Sequence, residues 1–328
     1  MLRSNVTKLA AFAAVIAAVS SSPASAEMLK ARLAQNLSPI SGVTIVAQSK
    51  GYFKKHGLEI AVSNFTSGKQ CLNTVVGGGA DIATTAESPT TAAAMAKQPI
   101  AFLARMEYSD DETVVSVKSG IKTWADLKGK KIAYAAGTGS EIYTMTLLKK
   151  AGLTPKDVTL INLRPQDMLP ALAAGSIDAM DTWEPHISNA LKVLGDKAKS
   201  LDTKGVYSET FNIVVMKPYL KKHEKLMEKF LAAMIDAETW MKAHPNEAIA
   251  TVAKAVGMKQ KDLAAIWSHY VFHVALDDKQ LGILKMHAQW RLDSGNHPPG
   301  AVMPDFLKIV DPGPLQKVDP SRVTYRGS

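Results

Sequence analysis

A single cysteine, Cys71, stands in a chain of 328 residues, so no intramolecular disulfide can form and no thiolate cage for a metal can be assembled. HExxH, a Walker loop and GxSxG are all missing, which removes the signatures of zinc proteases, P-loop nucleotide hydrolysis and α/β-hydrolases. Charge of one sign is never gathered into a run: 39 Lys and Arg face 30 Asp and Glu, and lysines come as pairs such as Lys54-Lys55, Lys130-Lys131, Lys149-Lys150 and Lys221-Lys222. Pairs at helix ends and turns suit helix dipoles and solubility, not nucleic acid. Long apolar runs are scarce too, and the run Leu9 to Val19 is too short for a permanent bilayer span.

What is present begins with a secretory pattern. Arg3 and Lys8 precede Leu9 to Val19, and Ser20 to Ala26 ends in Ala24-Ser25-Ala26, the charge, core and small-residue order of a signal peptide. Residues 1–26 are read as that signal, with cleavage after Ala26. No cysteine follows to take a lipid, so the mature chain is expected to be exported, not lipidated and soluble. Its net charge falls from the formal +9 of the whole chain to about +7, and roughly 300 residues remain, enough for two ordinary domains.

The stretch GKKIAYAAGTGSEIYTMTLLKKAG, Gly129 to Gly152, reads as strand, small-residue turn and helix. Gly137 and Gly139 permit close backbone approach, and Thr138 with Glu141 three residues on has capping-box spacing. Free amides and the positive end of a helix dipole make such a turn a candidate for a carboxylate, sulfonate, phosphate or nitrate, although a capped helix alone accounts for it. Five further strand-to-helix turns share the pattern: Asn36 to Ser41, Thr66 to Gln70, Thr85 to Pro89, Arg164 to Asp167 and Asp181 to Pro185. In open α/β sheets these turns gather at the carboxyl edge of the strands, where ligands bind.

Repeated strand-helix alternation predicts an α/β chain of mostly parallel sheets flanked by helices. It breaks twice, near Tyr108 to Lys118 and Gly205 to Asn212, so the chain is divided into residues 27–117 for the first part of one lobe, 118–211 for a second lobe, and 212–328 for a return to the first. Tyr219 to about Ser294 reads as helical, with a stripe at Leu226, Phe230, Met234, Ala237 and Met241. The proline-rich tail from Asn296 reads as extended.

Trp183 lies between acids at a turn, where an indole can form a flat ligand wall or fill a core. Glu87, Asp181 and Glu184 can receive an ammonium or an amide, or simply cap helices. Arg105 and Arg164 can clamp an anion or pair on the surface. His269 and His273 are spaced to share a helical face, but with no HExxH or cysteine pair nearby they read as core or surface histidines and no metal is expected. No Ser, His and Asp set can be assembled, so no catalytic residue is assigned.

SKGYFKKHGLEI (Ser49 to Ile60), GGGADIATTAESP (Gly77 to Pro89), SGIKTWADLKGKKIAYAAGTGSEIY (Ser119 to Tyr143) and AGSIDAMDTWEPH (Ala174 to His186) together resemble the nitrate/sulfonate/taurine family of transporter substrate-binding proteins. The resemblance covers about Leu29 to Met241. It implies a two-lobed periplasmic binding protein of type II fold that closes on a small anionic or zwitterionic ligand and delivers it, as a monomer, to the permease of an ATP-driven importer, without a cofactor. It also implies that the turns Thr85 to Ser88 (with Glu87), Gly137 to Ser140 (with Thr138 and Gly139) and Trp183-Glu184 line the cleft. Ser38, Ser41, Tyr108, Glu141 and Asp181 complete the expected ligand set. Glu87 stands where many relatives have Asp, and Glu141 where sulfonate binders often have a small residue. A second negative charge near the anion pocket favours a zwitterion or a neutral heterocycle if Glu141 enters the cleft. Alternatives are an aromatic carboxylate or pyrimidine-like ligand, a periplasmic sensor module, or an enzyme of the thiamine-pyrimidine or menaquinone type on the same fold. Export and the lack of a cysteine-rich metal motif argue against the enzyme.

Overall fold

The computed structural model describes residues 28–324; the signal peptide read in residues 1–26 lies outside them. The chain opens with β1 (Leu29–Asn36), α1 (Gly42–Ser49), α2 (Tyr52–Lys55), β2 (Leu58–Phe65), α3 (Gly68–Val76), β3 (Ile82–Ala86), α4 (Glu87–Met95) and β4 (Ile100–Asp110). It continues with β5 (Glu112–Ser116), β6 (Lys131–Tyr134), α5 (Gly139–Lys150), β7 (Thr159–Asn162), α6 (Pro165–Ala173), β8 (Ala179–Thr182), α7 (His186–Leu194) and β9 (Ala198–Leu201). Then come β10 (Ser208–Met216), α8 (Lys217–Ala243), α9 (Pro245–Val256), α10 (Gln260–Ile266), β11 (Val271–Ala275), α11 (Asp278–Ser294) and α12 (Gly313–Val318).

Two sheets result. The first has the order β11-β4-β10-β3-β1-β2 and the second β7-β6-β8-β5-β9. β1 to β4 run one way with β10 and β11 against them, and in the second sheet only β5 runs against the rest. Strands joined through a helix keep their direction, as a crossover requires. β5 and β10 are entered directly from the other sheet, and both run against the neighbours they join.

The chain leaves the first sheet at Asp110 and enters the second at Glu112, then leaves it at Leu201 and re-enters the first at Ser208. The second sheet therefore starts before residue 118: the run Thr113 to Val117, assigned from sequence to the first lobe, supplies β5, which pairs with β8 and β9. Likewise β10 begins before 212. Val114 and Val115 point to opposite faces of the second sheet, as a strand's two-residue period demands, and lie in separate cores, one with Met168, Met180 and Trp183, the other with Ile132, Tyr143 and Leu147. The first sheet and α8 to α11 share one large core.

Two readings of the C-terminal third need correction. Leu263 to Tyr270 ends as a helix at Ile266, and β11 follows, because YVFHVAL is apolar at strand as well as helical spacing. This puts His273 in a strand beside Glu238 and His269 in a short 3-10 turn beside Glu184, not on one helical face. The tail is no loose extension: Phe306, Ile309, Val310 and Leu315 are buried in the large core, and Val310 bridges to Phe102 on β4. Among the described residues no helix is long and apolar enough to cross a membrane.

Candidate functional site

Between the sheets the strand-to-helix turns face each other across a cleft, and its cavities meet at Trp183. One, of about 380 Å³, is lined by Asn36, Ser38, Asn64 and Phe65 from the first sheet's side and Gln166, Pro185 and His186 from the second. Another, of about 340 Å³, lies among Lys69, Gln70, Asn73, Thr138, Asn162 and Arg164. A small chamber of about 10 Å³ touches Asn36, Lys69, Thr138, Trp183, Glu209 and Phe211. Trp183 contributes to all three and is also 95% buried in the core beneath, so the indole is ligand wall and core residue at once. The Lys69 ammonium reaches across the cleft to the Ala136 carbonyl at 3.3 Å and forms no ion pair with a described residue.

The second-sheet wall satisfies its own polar groups. Ser140 Oγ accepts from the Ala135 amide and donates to the Asp181 carbonyl. Asp181 accepts from Thr113 and Thr144, each at 2.7 Å, and burial, only partly offset by those two hydroxyls, lifts its carboxyl to about 6. Glu184 caps α7 through the Ser188 amide and hydroxyl and meets His269 at 3.3 Å; burial raises its carboxyl as well. Thr138 makes no capping box, because its hydroxyl donates back to the Ala135 carbonyl. Glu141 instead accepts from the Gly137 amide at 2.8 Å and from Asn296 at 3.1 Å.

The first-sheet wall is different. Glu87 Oε2 accepts from the Thr210 amide at 2.6 Å and its hydroxyl at 2.8 Å, and Oε1 from Tyr207, so α4 is tied to the returning crossing. Glu107, Asp111 and Glu209 have no such partners. Both carboxylate oxygens of Glu107 and of Asp111 are buried without a hydrogen bond, and burial first, with repulsion from neighbouring acids, Glu87 common to all three, holds the three carboxyls well above their ordinary range. A methyl placed on Gly139 would collide with Glu209 Oε2 and lie 3.3 Å from Asp111 Oδ2. Nearby His287 is fully buried with neither ring nitrogen hydrogen-bonded, and burial drives its imidazole down to about 3.

The turn Gly137 to Ser140, expected to hold an anion, has acids close to it. Gly137 N–H is taken by the Glu141 carboxylate and Gly139 is faced by the Glu209 carboxyl. Of the other expected residues, Ser38, Thr138 and Trp183 line the joined cavities. Gly137 and Glu141 border a flanking cavity beside Arg291, and Tyr108 lines a cavity on the crossing's other side. Ser41, Thr85, Glu87, Ser88, Ser140, Asp181 and Glu184 are buried; Ser88 meets Arg291 at 3.2 Å and Ser41 meets Thr84 at 3.4 Å. Arg105 pairs with Asp277 and Arg164 with Asp167. Sequence reasoning missed Asn64, Phe65, Glu209 and Phe211. The latter two fall in the segment read only as a break in pattern.

Comparison with known proteins gives the following. The family described as NMT1/THI5 like matches residues 39–248. A putative aliphatic sulfonates-binding protein of Escherichia coli (strain K12) is 28% identical over 234 residues, 69% of this chain and 72% of that protein. The taurine-binding periplasmic protein of the same organism is 29% identical over 231 residues, covering 67% and 72%. Among solved structures, the alkanesulfonate-binding protein from Xanthomonas axonopodis pv. citri bound to MOPS superposes with a TM-score of 0.77 at 21% identity, over 88% of this chain and all of that one. The fold is the periplasmic binding protein fold.

Proposed function

The chain belongs to the NMT1/THI5-like family, and from that premise we propose that it is the periplasmic solute-binding component of an ABC importer, capturing a small sulfonate-, taurine- or nitrate-like ligand by hinge closure. It is not an enzyme in this reading, and it works as a monomer beside a membrane permease. The observation that carries the proposal is the set of cavities meeting at Trp183, walled by turns from both sheets. A site built from two bodies between which the chain crosses only at residue 111 and at residues 202–207 binds by bringing them together. Residues 112–201 form the moving lobe, and the rest of the described chain forms the other.

An acidic end of the ligand belongs near Lys69, in the 340 Å³ cavity. Lys69 is the cation there that lacks a carboxylate partner, whereas the start of α5 is already faced by Glu141 and Glu209. Calorimetry of the mature protein against sulfonates, nitrate, aromatic carboxylates, amines and pyrimidines tests this reading. Saturable binding of one class without turnover is expected; turnover of a compound, with no saturable ligand, sinks it.

A further inference from the structure

Glu209 is only 3% exposed, and among the described residues nothing hydrogen-bonds or ion-pairs with its carboxylate. Yet it lines the small chamber between the sheets together with Trp183 and Phe211. An ionised carboxylate withdrawn from water without a partner costs several kcal/mol, and Asp111 beside it is equally unpaired. Lys69 also lines the chamber, but its ammonium turns to the Ala136 carbonyl and does not pair with Glu209, and His287 is held neutral. A ligand can supply what the walls lack. At about 10 Å³ the chamber holds roughly one water-sized group, and it opens beside cavities that can take the remainder of a small molecule.

We propose that the ligand carries a primary ammonium group, that Glu209 receives it in this chamber, and that the adjoining carbon chain lies against Trp183 and Phe211. This rests on the solute-binding reading and narrows its substrate class to small amines, zwitterions with an acidic far end included. A primary ammonium fits by size and by its three donors, and the aromatic faces add cation–π attraction. Trimethylammonium and guanidinium groups are too large.

The test is calorimetry with 2-aminoethanesulfonate, its hydroxyl counterpart 2-hydroxyethanesulfonate, its N-trimethyl derivative and 1,3-diaminopropane, on the wild type and on Glu209→Gln and Glu209→Asp. Amine probes should bind at least about tenfold more tightly than the hydroxyl and trimethyl probes. Glu209→Gln should erase that preference, and Glu209→Asp should keep part of it. Thermal unfolding identifies a variant that has merely failed to fold, and then the wild-type probe series decides alone. Equal binding of amino and hydroxyl probes overturns the amine inference and leaves solute binding standing. Absence of binding by every probe also overturns the amine inference, while the solute-binding reading falls only if the wider panel gives no saturable ligand either.

Discussion

The two walls of the cleft are built from the same kind of turn and end in opposite chemical states. On the second-sheet wall the acids are bonded internally: Asp181 to two threonines, Glu184 to Ser188, Glu141 to Gly137. On the first-sheet wall Glu87 is bonded, but Glu107, Asp111 and Glu209 are not. A wall with its polar groups satisfied offers shape, while an unsatisfied one offers a demand for a partner. The ligand's chemistry is therefore to be sought from the first-sheet side and its surface contact from the second.

The largest effect is expected where both roles meet in one residue. Trp183→Ala should lower stability by about 3–5 kcal/mol, as loss of a large core side chain does, and weaken ligand binding by about 1–3 kcal/mol. Denaturant titration and calorimetry read the two separately; normal affinity with lowered stability would reduce Trp183 to a core residue. Next comes Glu87→Ala, which strands the Tyr207 hydroxyl and the Thr210 amide and should cost about 1–3 kcal/mol. Glu87 bonds only protein groups, so its removal should not change which class of probe is preferred, and a switch from amine to hydroxyl probe would give the bonded acid the role assigned to the unbonded one.

Gly139→Val places a side chain against Glu209 Oε2 and the Tyr207 ring. It should destabilise by about 1–3 kcal/mol and displace the carboxylate, reducing affinity for amine probes more than for others. The smallest effect is the pH dependence of the ligand-free protein. Glu107, Asp111 and Glu209 hold protons in the fold that the unfolded chain has released, so stability falls as pH rises above the ordinary carboxylate range. Buried His287 and His186, lowered to about 3 and about 4 by burial, act the other way, but only below the ordinary histidine value of about 6.5. Thermal unfolding should therefore occur at a lower temperature at pH 8 than at pH 6.5, and Glu209→Gln should flatten that slope. A slope of the opposite sign would mean that the unbonded acids are not what sets this wall apart.

The alternation of strands and helices was legible because runs such as IATTA and KIAY are short, apolar and followed at once by turn residues. β11 was not, since its apolar residues fit both periods and only pairing with β4 decides. At Thr138 to Glu141 the spacing of a capping box was present, but a glycine amide nearer the carboxylate won Glu141. Trp183 was found because an indole beside acids is unusual. Glu209 was invisible, as its significance lies in partners it does not have, which no spacing encodes.

β10 lies between β3 and β4, although it begins 98 residues after β4 ends. The second sheet is one unbroken stretch, 112–201, and can pair all its strands as soon as it is synthesised. β3 and β4 cannot, and the core they serve is not complete until Leu315 arrives. The middle of this chain is thus able to fold before its beginning. In the half-made molecule the open edges of β3 and β4 are the segments most exposed to mispairing, so slow folding and aggregation should be governed by the arrival of one late strand.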